Sequence, residues 1–290
     1  MGGRRWARLV APAGWLLTAC LALLSDVFGD EPALIFGVHP YLPVAELRGR
    51  FAPLTRYLEK ETGREVALRI AKDYAEHLEQ TGRDNLDIAF LGPAPYVELV
   101  DAYGKRPLLT RLEIRGTPYF RGYVIVRQDS PLTGLGDLRG RRFAFGDPGS
   151  TMSHLVPRYM LQRAGVEPGE LAEYRFLGSH ANVALGVLAG DFDAGAVKQE
   201  VYDRYGPRGL KPLAESPPIP EHLFVASRKL PLDTVSALCG ALLRLPEDPR
   251  GKEILKAIKP EATGLVPVSD ADYDDLRAIL RAVAPERLDP

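Results

Sequence analysis

Residues 33–104 read ALIFGVHPYLPVAELRGRFAPLTRYLEKETGREVALRIAKDYAEHLEQTGRDNLDIAFLGPAPYVELVDAYG. The stretch opens on a fully apolar run, 33–38, of strand length. Leu47, Phe51, Leu54 and Leu58 then recur on one helical face, and Gly63 supplies a C-terminal stop. EVALRIA alternates Val66, Leu68 and Ile70 with charged residues, as a strand does. Asp73 caps a second helix running through Tyr74 and Leu78 to Gly82. LDIAFLG is a buried strand and APYVELVDAYG a third helix. Strand, helix, strand, helix, strand is the order of a mainly parallel sheet covered on both faces.

Outward from this stretch the pattern repeats. GYVIVRQDSP is a strand, and from Leu135 a second α/β series runs through RRFAFG, STMSHLVPRYMLQRAG, EYRFLG, ANVALGVLAG and FDAGAV. EHLFVASRKL returns as a strand, and three helices follow at about 232–245, 250–258 and 270–283, the last opened by a capping-box pattern at Ser269 and Asp272. Extended segments near 116–124 and 218–226 are read as two crossings between lobes. The expected division is a leader over 1–29, a discontinuous first lobe over 30–120 and 223–290, and a second lobe over 121–222. Paired crossings make a hinge, and the cleft between lobes is where a ligand sits.

The N-terminus stands outside this scheme. Arg4, Arg5 and Arg8 precede an apolar stretch from Leu9 to Leu24 and a polar segment from Ser25, the layout of an export signal. At about 16 residues, interrupted by Pro12 and Gly14, the stretch is short for a membrane span. Small residues before Asp30 favour cleavage after Gly29 and a periplasmic location. A competing reading takes Leu17-Thr18-Ala19-Cys20 as a lipobox that leaves Cys20 lipidated, but apolar residues follow Cys20 where a lipoprotein turns polar. Cys239, the other cysteine, lies in an apolar helical stretch and reads as a small buried hydrophobe.

Composition excludes several classes. With 37 Lys+Arg against 38 Asp+Glu, the net charge of −1 gives no electrostatic basis for nucleic-acid binding. Apolar residues make up 46% and charged ones 26%, ordinary values for a globular protein. The five histidines form no HExxH or paired-cysteine pattern, so neither a metal, a cofactor nor an enzyme is expected.

The most informative segment is FAFGDPGSTMSHLVPRYML. A strand ends at Gly146, Asp147-Pro148-Gly149 turns, and Ser150, Thr151 and Ser153 stand at a helix start, where unpaired N–H groups and the helix dipole favour an anion. No Gly-Lys-Ser/Thr follows, so it is not a nucleotide loop.

LGPAPYVELV, VIVRQDSPLTGLGDLRGRRFAFGDPGSTMSHLVP, GSHANVALGVLAGDFDAGAV and TGLVPVSDADYDDLR, in that order, resemble the substrate-binding proteins of phosphonate-type ABC transporters, a family that includes phosphate and phosphite binders. The resemblance implies a two-lobed type-2 periplasmic binding fold and a monomer. It implies a small phosphorus oxyanion as ligand and an inner-membrane ABC permease as partner. A ligand sensor signalling to a membrane receptor is the alternative. It further implies that Ser150 and Thr151 hold the anion, with Met152 where a third hydroxyl is usual and Ser153 one position on. His180 matches an oxyanion contact, Tyr74 a tyrosine from the other lobe, and Glu200 an acid set against a ligand amine. Tyr96 and Arg121 are further candidates, and Tyr119 stands beside them.

Overall fold

The computed structural model describes residues 1–3 and 32–283. The export signal and the Cys20 lipobox fall on residues 4–31, outside the described residues. Every described strand and helix lies between Leu34 and Val283.

The chain begins with β1 (Leu34–Val38), α1 (Val44–Thr62), β2 (Val66–Ile70), α2 (Tyr74–Gly82), β3 (Ile88–Leu91), α3 (Pro93–Tyr103) and β4 (Leu108–Ile114). It continues with β5 (Tyr119–Phe120), β6 (Gly122–Arg127), β7 (Arg142–Phe145), α4 (Val156–Arg163), β8 (Glu173–Phe176), α5 (His180–Ala189), β9 (Ala194–Lys198), α6 (Gln199–Tyr205) and β10 (Leu210–Glu215). It closes with β11 (Ile219–Pro220), β12 (Leu223–Ala226), α7 (Leu232–Arg244), α8 (Gly251–Ile258), β13 (Ala262–Val266) and α9 (Asp274–Val283).

Two sheets result. The first has six strands in the order β13-β4-β12-β3-β1-β2, the second five in the order β10-β6-β9-β7-β8. The parallel order read from the sequence holds where strand–helix units follow one another: β1 runs parallel to β2 and β3, and β7 to β8 and β9. Strands that arrive by another route run the other way. β12 lies antiparallel between β3 and β4, and β6 antiparallel between β9 and β10, so each sheet is mixed. The chain leaves the first sheet after β4 and returns to it at β12. The two passages pair with each other as the short ribbon β5–β11.

Both faces of each sheet are covered. Leu47, Phe51, Leu54 and Leu58 of α1, the face read from the sequence, pack with Leu34, Phe36 and Val38 of β1 and with α7 and α8. Tyr96 and Leu99 of α3 and Tyr273 and Leu276 near the C-terminus cover the opposite face. In the second sheet, Phe143 and Phe145 pack on Leu161 of α4, while Ile125 and Ala144 pack on Val183 and Val187 of α5. Cys239 packs against the first core, its thiol directed at the Leu109 carbonyl 3.2 Å away. No helix among the described residues is long and apolar enough to cross a membrane.

Candidate ligand site

In open α/β sheets the space beyond the carboxyl ends of parallel strands is where ligands sit, because loops there are free of the sheet and helices begin there. Every parallel strand among the described residues ends in, or is followed within five residues by, a group that lines one narrow cavity. His39 follows β1, Gly92 follows β3, Ser150, Thr151 and Met152 follow β7, and Lys198 ends β9. Tyr74 follows β2 and His180 follows β8, each the first residue of the next helix. Tyr41, Phe120 and His222 complete the wall.

The helix start after β7 is built from its own sequence. Pro157 has no N–H to offer the Ser153 carbonyl, which accepts instead from Gly146 N–H at 3.0 Å. The first turn therefore opens out, with Leu155 N–H bonding back five residues to Ser150 O at 3.0 Å. Such wide turns recur at functional sites. Ser150 caps the helix, its Oγ accepting from Ser153 N–H at 3.2 Å. Thr151 Oγ1 accepts from Ala94 N–H at 3.0 Å, reaching the start of α3 in the other sheet's unit. Each hydroxyl has thus accepted a bond and keeps its own proton to donate.

His180 and Lys198 stand beside these hydroxyls. The Lys198 N–H donates to His180 Nδ1 at 3.1 Å, so the proton of the neutral ring resides on Nε2. That nitrogen stands 3.4 Å from Ser150 Oγ. Burial, and then the charge of Lys198, holds the His180 pKa well below its usual value, so the ring stays neutral near neutral pH. Lys198 is only 2% exposed. Its Nζ lies 2.8 Å from Glu200 Oε2 and 4.0 Å from the Tyr41 ring centre. Burial lowers its pKa to about 8 against the pull of Glu200, and at that value it stays mostly charged at neutral pH.

Glu200 does not line this cavity. Its second oxygen is 2.6 Å from Arg50 of α1. Burial alone would raise its pKa, but Lys198, Arg50 and Lys259 together hold it below the ordinary carboxylate range. A carboxylate so held lies between two cations, and a ligand amine would have to displace one of them. Three other residues singled out from the sequence also stand apart. Ser153 is fully buried, its Oγ packed against Gly146. Tyr96 points away, its OH donating to Asp270 Oδ1 at 2.8 Å and its ring against Tyr273. Arg121 bonds the Ser216 carbonyl at 2.9 Å and pairs with Glu215 at 3.1 Å, beside a separate surface hollow that Tyr119 also lines. The structure brings Tyr74, Ser150, Thr151, Met152 and His180 to the cavity and leaves Tyr96, Arg121, Ser153 and Glu200 outside it.

Sequence reasoning missed Lys198, His39, Tyr41 and His222. His39 and His222 stack at 5.6 Å between ring centres, and both are buried. His222 Nδ1 donates to Glu221 Oε2 at 2.9 Å, and Glu221 is in turn clasped by Lys259 Nζ at 2.6 and 2.8 Å. Among the described residues no cluster of His, Cys, Asp and Glu is arranged to hold a metal.

The carboxyl ends of strands from two α/β units thus converge on one narrow cavity, the place where ligands bind in such sheets. Residues 36–273 match the family model described as ABC transporter, phosphonate, periplasmic substrate-binding protein. A phosphate-import protein of Mycolicibacterium smegmatis is 30% identical over 93% of this chain and 95% of its own length. The phosphonates-binding periplasmic protein of Escherichia coli is 27% identical over 81% of this chain and 73% of its own. In fold, the chain superposes on PhnD1 of Prochlorococcus marinus, solved with methylphosphonate, with a TM-score of 0.79 at 23% identity, covering 88% and 99% of the two chains. The chain belongs to the phosphonate ABC transporter family of periplasmic substrate-binding proteins, a family of transport components and not of enzymes.

Proposed function

We propose that the cavity binds one small phosphorus oxyanion, phosphate or a simple phosphonate or phosphite, and that the protein hands it to an inner-membrane ABC permease. We further propose that residues 1–29 direct export to the periplasm. The observation that carries the reading of the cavity is the convergence of Ser150, Thr151, His180 and Lys198, all proton donors, with Tyr74 from the facing unit. Lys198 adds a cation to the hydroxyl and imidazole donors.

Three features support a two-lobed clamp, with 30–120 and 223–290 as one lobe and 121–222 as the other. Thr151 bonds Ala94, Arg50 pairs with Glu200, and Arg204 lies 3.4 Å from Glu46, each contact joining the two sheet units. The β5–β11 ribbon is the natural hinge, and an anion that touches both walls binds the closed form better than the open one. Ligand panels in a thermal-shift assay test the function, since a ligand at a hundred times its Kd adds about 2.7 kcal/mol. No shift with phosphate, phosphite or methylphosphonate would refute it.

Two substitutions sharpen the test. Thr151→Ala should weaken methylphosphonate or phosphate binding about ten- to a hundredfold, because a hydrogen bond to a charged group is worth roughly 1.5–3 kcal/mol, and should cost about 1–3 kcal/mol of stability, because the buried Ala94 N–H loses its acceptor. Ser150→Ala should weaken binding by a similar factor and lose about 1 kcal/mol of stability, because the cap goes with the hydroxyl. Lys198→Met should cost more, about a hundred- to a thousandfold, as a buried cation facing an anion is worth roughly 2–5 kcal/mol. Glu200 keeps Arg50 in that variant, so the fold should survive. Calorimetry at matched pH gives each value, and wild-type affinity in Lys198→Met would remove the lysine from the site.

A further inference from the structure

The hydrogen-bond partners of the cavity side chains fix where their protons are, and so what a ligand must offer in return. One wall donates: Ser150 and Thr151 have each accepted a bond, His180 carries its proton on Nε2, and Lys198 is an ammonium. The other wall is different. His39 Nδ1 bonds the Phe90 carbonyl at 3.1 Å, and a carbonyl can only accept, so Nδ1 holds the proton. His39 Nε2 is then a bare lone pair. The residue is 1% exposed and lines the cavity, and Nε2 has no partner. A buried acceptor left without a donor costs about as much as a lost hydrogen bond, and so calls for a partner.

Taking up a proton is not an easy way out for His39. The titratable and charged groups that face it are Tyr41, Tyr74, His77, His222 and Lys198, none of them an anion. His77 Nε2 donates to the same Phe90 carbonyl at 3.0 Å, which anchors the pair of rings in one tautomer each. Burial, then His222 and His77, keeps the His39 ring neutral.

We propose that His39 Nε2 accepts a hydrogen bond from a P–OH of the ligand, so that the cavity takes tetrahedral oxyanions that retain one proton and rejects their proton-free isosteres. Hydrogenphosphate and singly ionised phosphonates fit; sulfate and sulfonates of the same charge do not, because their oxygens would set a lone pair against a lone pair. The inference rests on the cavity being a phosphorus-oxyanion site.

Two isosteric pairs of equal charge test it by calorimetry on the full protein. Slightly above neutrality, hydrogenphosphate is compared with sulfate. Slightly below neutrality, singly ionised methylphosphonate is compared with methanesulfonate. The phosphorus member should bind about a hundredfold more tightly in each pair, the cost of an unanswered buried acceptor. Methylphosphonate binding in two buffers of different ionisation heat should show no net proton uptake. In His39→Leu, where Phe90 keeps His77, both ratios should fall towards one. Sulfate or methanesulfonate binding within about tenfold of its partner, or uptake of about one proton per methylphosphonate, overturns the role of His39 while leaving the anion site standing. Binding of none of the four anions overturns the reading of the cavity itself, and the proposal with it.

Discussion

Lowering the pH is expected to unfold this protein over a narrow interval, between about pH 6 and pH 4. All five histidines of the chain are buried. Burial lowers the pKa of His77, His154 and His222 to about 4, and that of His39 and His180 well below the usual value. In the unfolded chain the same rings take up protons near pH ~6.5. Below that point the unfolded state binds more protons than the folded one, so stability falls as pH falls until each folded pKa is passed. Asp147 works against this, since burial raises its pKa to about 6 and the folded chain gains that proton first. The net difference of about four protons gives a slope of roughly 5 kcal/mol per pH unit at its steepest. A typical domain has ~5–15 kcal/mol in all. Chemical denaturation at stepped pH measures the slope directly, and a midpoint that stays level from pH 7 to pH 5 would contradict it.

Lys259→Met is expected to remove about 3–5 kcal/mol of stability at neutral pH. Lys259 is 6% exposed and Glu221 fully buried, with both carboxylate oxygens held by one ammonium. Burial would raise the Glu221 pKa, yet Lys259 and the His222 hydrogen bond bring it down to about 2. Without the lysine a charged carboxylate stays inside with only the N–H groups of His222 to answer it. Melting should fall by roughly 10 °C for a chain of this size. His222 supplies a specific signature: its pKa is lowered by burial and next by Lys259, so in the variant it should rise and allow an imidazolium to replace the missing charge. The deficit should therefore shrink as pH is lowered slightly below neutrality. Glu221→Gln combined with Lys259→Met should recover much of the loss. A single variant that melts like wild type would show that the pair carries no stability.

The sequence was most informative where the signal was local. Leu47, Phe51, Leu54 and Leu58 mark α1 because a helix repeats every 3.6 residues, and all four are buried where that face predicts. Ser150 and Thr151 were legible because a strand, a turn and a hydroxyl-rich helix start lie within a dozen residues. Lys198 was not, because in VKQE it resembles a solvated charge. What buries it is Tyr41, 157 positions earlier, and a carboxylate held by Arg50. A signal was present: a lysine closing a wholly apolar strand stands at a carboxyl end, where ligands sit in such sheets. His39 carries the same mark, one residue past β1. Motif matching gives a residue's identity and not its partners, so the pairing of Glu200 with Arg50 and Lys198 outside the cavity was not legible. The same holds for Tyr96, since the turn of α3 that carries it faces Asp270 and Tyr273.

The position of β12 has a consequence for how the molecule assembles. It sits in the middle of the six-stranded sheet, with β3 on one side and β4 on the other, and β4 has no other neighbour but β13. Both partners of β4 therefore come from beyond residue 222, after the whole of the second sheet has been made. A nascent chain can join β1, β2 and β3 early, but β4 must wait through more than a hundred residues before anything can pair with it. Such distant pairings slow folding, because the loop must close before the contact returns any energy. Synthesis halted after Glu215 should leave the second sheet protected from hydrogen exchange while the first stays open at β3 and β4. The last quarter of the chain thus sets the rate at which the first half becomes native.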